Sequence, residues 1–257
     1  MVSVILPDGG EDRVVEIASG DVAVGRATKR RAPMALDRLP GMGFSGWTAE
    51  AIEFYEGLEA DNSKTYWNEN KPVYETCVLR PMTELLAELA PEFGAAKLFR
   101  PYRDVRFSAD KAPYKTAIGA VLELGGYVQL SASGLASGSG MWMMAPDQLE
   151  RYRKAVSAET TGQSLADLLS VLRAAGIQAE GHDSLKTAPK GYPKDHPRIE
   201  LLRYKGVTSW KQWPPGAWLG KPGAKDRIIG FLRMSQPLDQ WLAANVGPSE
   251  LEHWGRH

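Results

Sequence analysis

The residues best suited to chemistry are concentrated in one short stretch, between Phe99 and Gly119. Arginine supplies a planar fork that matches the oxygens of a carboxylate or a phosphate, and lysine supplies a point charge. A cluster of these side chains beside a tyrosine therefore predicts a site that holds an anion. The ligands expected from this stretch are Arg103, Arg106, Lys111, Tyr114 and Lys115.

Asp104 lies between two of these arginines in the sequence, Arg103 and Arg106. Neighbouring positive charges stabilise the ionised form of a carboxylate. As a member of a catalytic set, Asp104 is therefore a poor proton donor and is better suited to orient an arginine. A structural interpretation stands beside this one, because exposed charges that pair with one another on a sheet face need no ligand and contribute little free energy.

A second basic block runs from Lys186 to Lys205 and contains three prolines and one glycine. Proline removes chain entropy and glycine permits tight turns, so this composition predicts an ordered loop. We expect Lys186, Lys190 and Tyr192 to contribute to ligand binding. His196 is the histidine best placed to transfer protons near neutral pH, although a histidine at the start of a helix can also serve only in packing or hydrogen bonding.

Two groups of helices are expected to flank a β-rich centre. Apolar residues at helical spacing predict helices from Thr48 and from Asn62 or Ser63, and again from Pro146 onwards. Alternating polar and apolar residues predict a strand over 99–108. Gly125-Gly126 separates two further β-prone runs and is typical of a tight hairpin turn, and a flexible segment is expected over 133–139.

This order of elements predicts the α+β class, with an antiparallel β-sheet core flanked by helices in a single domain. We expect that domain to cover residues 42–247. Residues 1–41 are interpreted as an N-terminal extension, with a hairpin formed by the runs 2–6 and 13–17 and then a linker. Residues 248–257 are interpreted as a C-terminal tail.

Composition narrows the classes of function. The chain has 31 Lys and Arg against 31 Asp and Glu, so no overall positive field attracts nucleic acid or an anionic membrane. The single cysteine excludes an internal disulfide and favours a reducing compartment, and without an apolar run of bilayer length we expect a cytoplasmic protein without membrane attachment. The glycine spacings match neither the dinucleotide fingerprint nor the phosphate loop, and no ligand pattern favours a metal, so no cofactor is predicted.

Several of these stretches resemble a known family. The segments 103–108, 110–111 and 113–116 are similar to the signature of the bacterial and fungal family known as domain of unknown function 2461. Its other blocks resemble Asn62 with Tyr66-Trp67, and the segments 186–192, 195–197 and 200–205. The resemblance covers about residues 43 to 243. It implies no established activity, cofactor or catalytic residue.

Three hypotheses for function remain open at this point. In the first, the two basic blocks converge and bind a small phosphorylated or carboxylated ligand, with hydrolase or transferase chemistry through His196 as an extension of that role. In the second, the same surface is a non-enzymatic module that docks an acidic protein or nucleic acid, although the neutral overall charge weakens the nucleic-acid version. In the third, the charges form only an internal salt network.

Overall fold

The computed structural model describes the backbone of residues 2–8 and 11–17, and all atoms of residues 43–106 and 108–251. These residues form two compact units. The first contains the described residues up to Leu124, with Ser131–Ser133 and Pro215–Lys225. The second contains Gly125–Leu130, Gly134–Pro214 and the chain from Asp226. The linker predicted after the first two β runs lies outside the described residues.

The first unit combines a helical layer with short strands. Its strands are β1 (Val2–Asp8), β2 (Glu11–Ile17), β3 (Ala96–Leu98) and β4 (Ala117–Leu122), and its helices are α1 (Ala49–Ala60), α2 (Lys64–Val73) and α3 (Arg80–Phe93). A π-helical segment, Tyr74–Leu79, joins α2 to α3. The strand order is β2-β1-β3-β4, in which β1 and β3 are parallel and the other pairs antiparallel.

The second unit packs helices against a set of antiparallel strands. Its strands are β5 (Tyr127–Ser131), β6 (Gly134–Met141), β7 (Gln178–Ser184) and β8 (Tyr204–Trp213). Its helices are α4 (Pro146–Ser157), α5 (Glu159–Ala174), α6 (Ile199–Arg203) and α7, which begins at Ala224 and ends at Asn245. Strand β8 pairs antiparallel with both β6 and β7, and β5 neighbours β6.

Local signals in the sequence explain several of these boundaries. Ser63 caps α2, because its hydroxyl oxygen accepts a hydrogen bond from the Tyr66 amide nitrogen at 3.1 Å. Gly125 and Gly126 both have positive φ angles, as the predicted turn requires. The predicted α+β class, with antiparallel strands and flanking helices, is confirmed. The predicted domain limits, including the single domain over 42–247 and the tail from residue 248, stay predictions.

Two predictions about local structure are wrong. The segment 133–139, expected to be flexible, forms most of β6, because its small residues let the strand pack closely against its neighbours: a Cβ atom at Gly138 would lie 2.8 Å from the Trp210 ring. Conversely, no regular strand covers the described residues 99–106 and 108, where Tyr102 makes only an isolated bridge to Tyr114. Pro101 lacks an amide hydrogen for a sheet ladder, and the side chains of this segment pair locally instead.

No helix in the described ranges is both long and apolar enough to cross a lipid bilayer.

Asp239 joins helix α7 to strand β6 in the second unit. Its carboxylate accepts hydrogen bonds from the Ser139 hydroxyl at 2.5 Å and from the Gly140 amide nitrogen at 3.0 Å. Burial raises the pKa of Asp239 despite these two bonds. Burial therefore disfavours the ionised carboxylate in the folded state. The contribution of Asp239 to the free energy of unfolding rises as the pH falls through the raised pKa, and it is smallest above that pKa.

We expect the substitution Asp239→Asn to leave the free energy of unfolding at pH 7 unchanged or higher, because the amide oxygen still accepts from the Gly140 amide nitrogen and the amide nitrogen donates to the Ser139 oxygen, without a buried charge. Asp239→Ala is expected to cost about 1–2 kcal/mol, since two polar groups lose their partner. Urea unfolding at pH 7 and pH 5 measures the free energy of unfolding of both variants. Lowering the pH should raise this free energy in the wild type relative to Asp239→Asn. Equal losses in the two variants would contradict this account.

Candidate functional site

The cationic stretch of the first unit forms a loop that is closed at its base. The Arg103 amide nitrogen donates to the Pro113 carbonyl oxygen at 2.9 Å, and the Lys115 amide nitrogen donates to the Pro101 carbonyl oxygen at 2.7 Å. The bridge between Tyr102 and Tyr114 lies between these two bonds. The two ends of the loop are therefore held together by main-chain pairing, although neither end is part of a regular strand.

Asn62 fixes one end of this loop. Its side-chain amide donates to the Tyr114 carbonyl oxygen, and its side-chain oxygen accepts from the Tyr114 amide nitrogen, both at 3.0 Å. One side chain thus satisfies both main-chain groups of one residue, as a neighbouring strand does in a sheet. Asn62 precedes the Ser63 cap of α2, so the helical layer sets the position of Tyr114.

Aromatic rings pack the same junction from the other direction. The rings of Trp67 and Tyr114 stack with centroids 4.4 Å apart and an interplanar angle of 8°. The Tyr102 ring contacts both of them, with its centroid 6.1 Å from Trp67 and 5.6 Å from Tyr114, and Tyr102 is still 51% exposed. Trp67 and Tyr114 are buried, so they anchor the loop, while Tyr102 presents an aromatic ring to solvent.

Two arginines predicted as anion ligands have carboxylate partners within the loop. Arg103 forms an ion pair with Asp110 at 2.5 Å. Arg106 donates from two nitrogens to Asp104, with a shortest distance of 2.7 Å. These hydrogen bonds from Arg106, together with its charge, lower the pKa of Asp104 to about 2. Asp104 is ionised at neutral pH, and its observed partner is Arg106, which is 77% exposed at the side chain.

The remaining cations of the loop differ in their surroundings. The Lys111 ammonium group donates to the Val105 carbonyl oxygen at 3.0 Å and is exposed. Lys115 is half-buried, and its ammonium nitrogen lies 5.2 Å from the centroid of the Phe99 ring. Burial lowers the pKa of Lys115, and the positive charge of Arg100 lowers it further. Within the described residues, no carboxylate lies within salt-bridge distance of Lys115 or Arg100.

One residue of the second basic block, Arg198, stabilises the fold of the second unit. The buried Arg198 donates to the carbonyl oxygens of Val156, Ser157 and Ala158, which are the last ones of α4 and the junction with α5. It also pairs with Glu159 at 3.0 Å, whose side chain is 83% exposed. Arg198 therefore supplies the hydrogen bonds that a helix C-terminus lacks, and sequence reasoning missed this role because the two segments are 40 residues apart in the chain.

The predicted site residues of the second block lie around Arg198 and on the preceding loop. His196 accepts a hydrogen bond at Nδ1 from the Arg198 amide nitrogen at 3.0 Å, just before α6. Lys186 and Lys190 are exposed, and Tyr192 closes a turn by donating from its amide nitrogen to the Pro189 carbonyl oxygen at 3.2 Å. The hydrogen bond of His196 matches the structural alternative considered for it; its role in proton transfer stays a prediction.

The loop residues of the first block belong to the first unit, and those of the second block belong to the second unit. Within the first unit the structure brings together Arg103 with Asp110, Asp104 with Arg106, and Tyr114 with Asn62 and Trp67. Convergence of the two blocks on one ligand stays a prediction. Among the residues described, no three His, Cys, Asp or Glu side chains lie close enough together to hold a metal ion.

Comparisons with known proteins give one family and one solved structure. A family model described as conserved hypothetical protein (DUF2461) matches residues 50–241. A comparison with curated proteins finds no match. A solved structure of a conserved hypothetical protein from Pyrococcus furiosus matches with 11% sequence identity and a TM-score of 0.34, over 66% of this chain and 98% of that one.

We expect the substitution Asn62→Asp to cost about 1–3 kcal/mol of unfolding free energy, because a carboxylate cannot donate to the Tyr114 carbonyl oxygen and leaves it unpaired. Asn70 offers a matched control, since its amide donates to Tyr66 within one helix. Asn70→Asp should cost clearly less than Asn62→Asp in urea unfolding. Similar costs would show that the Asn62 pairing does not hold the loop.

Arg198→Met is expected to lower the free energy of unfolding by about 3 kcal/mol, since several buried carbonyl oxygens lose their donor. Glu159→Gln removes the same ion pair from its exposed side and should cost less than about 1 kcal/mol. Denaturant unfolding of both variants separates the two contributions. If Glu159→Gln were as costly as Arg198→Met, the ion pair rather than the helix cap would be the stabilising element.

Proposed function

The chain belongs to the DUF2461 family of conserved hypothetical proteins, and we propose that it binds a small phosphorylated or carboxylated ligand at the loop of its first unit. The cations that carry this role are Lys115 and Arg100. Lys115 belongs to the ligand set predicted from the sequence, whereas Arg100 is added because its charge acts on Lys115 in the structure.

One observation carries the proposal: two positive charges act on each other at the base of the loop, and among the described residues no carboxylate lies within salt-bridge distance of either, although Arg100 also acts on Asp104 at longer range. Most other cations of the loop have a protein acceptor. The Lys115 ammonium group instead lies over the Phe99 ring and is repelled by the positive charge of Arg100. A half-buried ammonium group that lacks a counter-ion costs the fold free energy while it is charged. A bound anion offsets both the lost hydration and the repulsion.

The fixed position of these groups supports binding of a small ligand over docking of a large one. The Asn62 amide and the Trp67 ring hold Tyr114, which adjoins Lys115 in the chain. A preorganised cation loses little conformational entropy when an anion arrives. The exposed Tyr102 adds an aromatic hydroxyl next to this position.

The other residues predicted as ligands would contact the anion only after a change in their present contacts or position. Arg103 and Arg106 contact a ligand only if they release Asp110 and Asp104, which their exposure permits. Lys186, Lys190 and Tyr192 would take part only if the two blocks converge. Hydrolase or transferase chemistry through His196 is an extension of this proposal, and the single cysteine supports a cytoplasmic location.

Sulfate is a suitable test ligand because its charge is constant between pH 6 and pH 10. We expect isothermal titration calorimetry to detect sulfate binding that weakens by about tenfold in Lys115→Met, where one charge-assisted hydrogen bond is lost. Lys64→Met removes a charge from an exposed position on α2 and should bind sulfate as the wild type does.

The pH dependence gives an independent check of Lys115. A lysine is charged below its pKa, and the pKa of Lys115 is lowered, so sulfate binding should decline as the pH rises through a value below that of an ordinary lysine. Lys115→Arg should bind sulfate without this decline, because arginine stays charged. The proposal fails if no variant changes sulfate binding, or if sulfate, phosphate and citrate all leave the protein's melting temperature unchanged.

A further inference from the structure

A cavity in the second unit is the strongest feature that the proposed function does not use. It has a volume of about 200 Å³ and lies where β6, β7, β8 and α4 meet. Its apolar wall consists of Trp142, Met143, Met144, Pro146 and Leu149, and its polar wall consists of His182, Asp183 and Lys205. Small-molecule sites in proteins combine an apolar surface with a few convergent polar groups in this way.

An exposed indole forms one side of the cavity. Trp142 is 62% exposed and Met143 is 58% exposed, although both are large apolar residues that a fold ordinarily buries. The His182 ring stacks against Trp142 with an interplanar angle of 24°, which fixes the orientation of the indole. An indole held in place by a second ring offers a ready platform on which a planar group can stack.

The polar wall of the cavity has an unusual backbone conformation at Asp183. Among the described residues, Asp183 is the one non-glycine residue with a positive φ angle, at 55°. This conformation interrupts the pairing of β7 with β8 between His182 and Ser184, and the Ser184 amide nitrogen donates to the Asp183 carboxylate. Unfavourable backbone conformations are concentrated at binding sites, where the surrounding structure enforces them.

The two groups of this wall that carry full charges, Asp183 and Lys205, are paired with each other. The Lys205 ammonium group donates to the Asp183 carboxylate at 2.6 Å. A carboxylate can accept about four hydrogen bonds and an ammonium group can donate three, so both groups retain capacity for a ligand. Together they present an acceptor and a donor side by side, which complements a ring edge that carries an amino group next to a ring nitrogen.

Close approach of the main chain shapes the floor. A Cβ atom at Gly206 would collide with the carbonyl oxygen of Trp142, so only glycine allows the segment after β6 to lie this near to β8. The Met144 amide nitrogen donates to the Lys205 carbonyl oxygen at 2.9 Å and holds that arrangement. The apolar and polar walls are thereby joined at their base.

We propose that this cavity binds an adenine-type base, stacked on Trp142 with its amino edge directed to Asp183 and Lys205. A cavity of about 200 Å³ is large enough to take one ring system. The paired charges disfavour an ionic ligand, whereas an uncharged base matches both walls. The same ring chemistry occurs in free nucleosides and in single-stranded nucleic acid.

The methyl groups of Met143 and Met144 report directly on the proposed site. In protein labelled with carbon-13 at the methionine methyls, adenosine should shift these two resonances through its ring current. The methyl of Met234, which lies on α7 and does not line the cavity, should not move. A short single-stranded oligoadenylate, compared with adenosine at equal base concentration, identifies whether the source is a free nucleoside or a nucleic acid.

Trp142→Ala should weaken adenosine binding by about tenfold or more, because one base–aromatic stack is lost. Val171→Ala provides a matched truncation of an exposed apolar side chain on α5 and should bind adenosine as the wild type does. Inosine, which carries a carbonyl group in place of the amino group, should bind more weakly than adenosine because it faces the Asp183 carboxylate with an acceptor.

The proposal is overturned if neither adenosine nor the oligonucleotide shifts the Met143 and Met144 methyls at millimolar concentration. It is also overturned if Trp142→Ala binds adenosine unchanged, or if inosine binds as well as adenosine. Adenosine carries no phosphate, so the results with adenosine and inosine are independent of anion binding by Lys115 and Arg100.

Discussion

The pairing of the Asn62 amide with both main-chain groups of Tyr114 is the constraint on which the first unit's loop depends. It replaces the sheet ladder that Pro101 and the neighbouring charged residues do not provide. Because Asn62 stands at the start of α2, the loop takes its position from the helical layer and not from a strand. The stacked rings of Trp67 and Tyr114 hold the same residue of the loop from its side chain.

The helices could be predicted from the sequence more fully than the strands. Apolar spacing and the Ser63 cap are local signals, and α2 begins where they indicate. Pro72 and Pro81 flank the π-helical segment Tyr74–Leu79 between α2 and α3. Strand β8 was harder to predict, because Trp210 and Trp213 are followed by Pro214, Pro215 and Gly216, a composition typical of a loop, and the partners of β8 on β6 and β7 are distant in the chain.

Small residues explain the error at β6. Glycine and serine favour a flexible loop by propensity, yet Ser137 and Ser139 are buried and hydrogen-bonded, to the Tyr127 carbonyl oxygen and to Asp239 respectively. A strand of small residues is stable here because neighbouring side chains and a helix fill the space beside it. That information lies in the residues that surround the strand, and single-sequence reasoning does not contain it.

For the site, the sequence identified where charge is concentrated but could not say which charges are neutralised. Arg106 lies two residues from Asp104, and Arg103 lies seven residues from Asp110, so both pairs form within one loop. Arg198 takes its acceptors from a helix end about 40 residues away, so this member of the second basic block stabilises the scaffold. Lys115 follows Tyr114, whose main chain is already occupied by Asn62, and is held beside the Phe99 ring and Arg100. The cation that we propose for ligand binding is therefore one that the fold positions firmly and for which the described residues supply no carboxylate, and this property depends on the tertiary structure as much as on the charge of the residue.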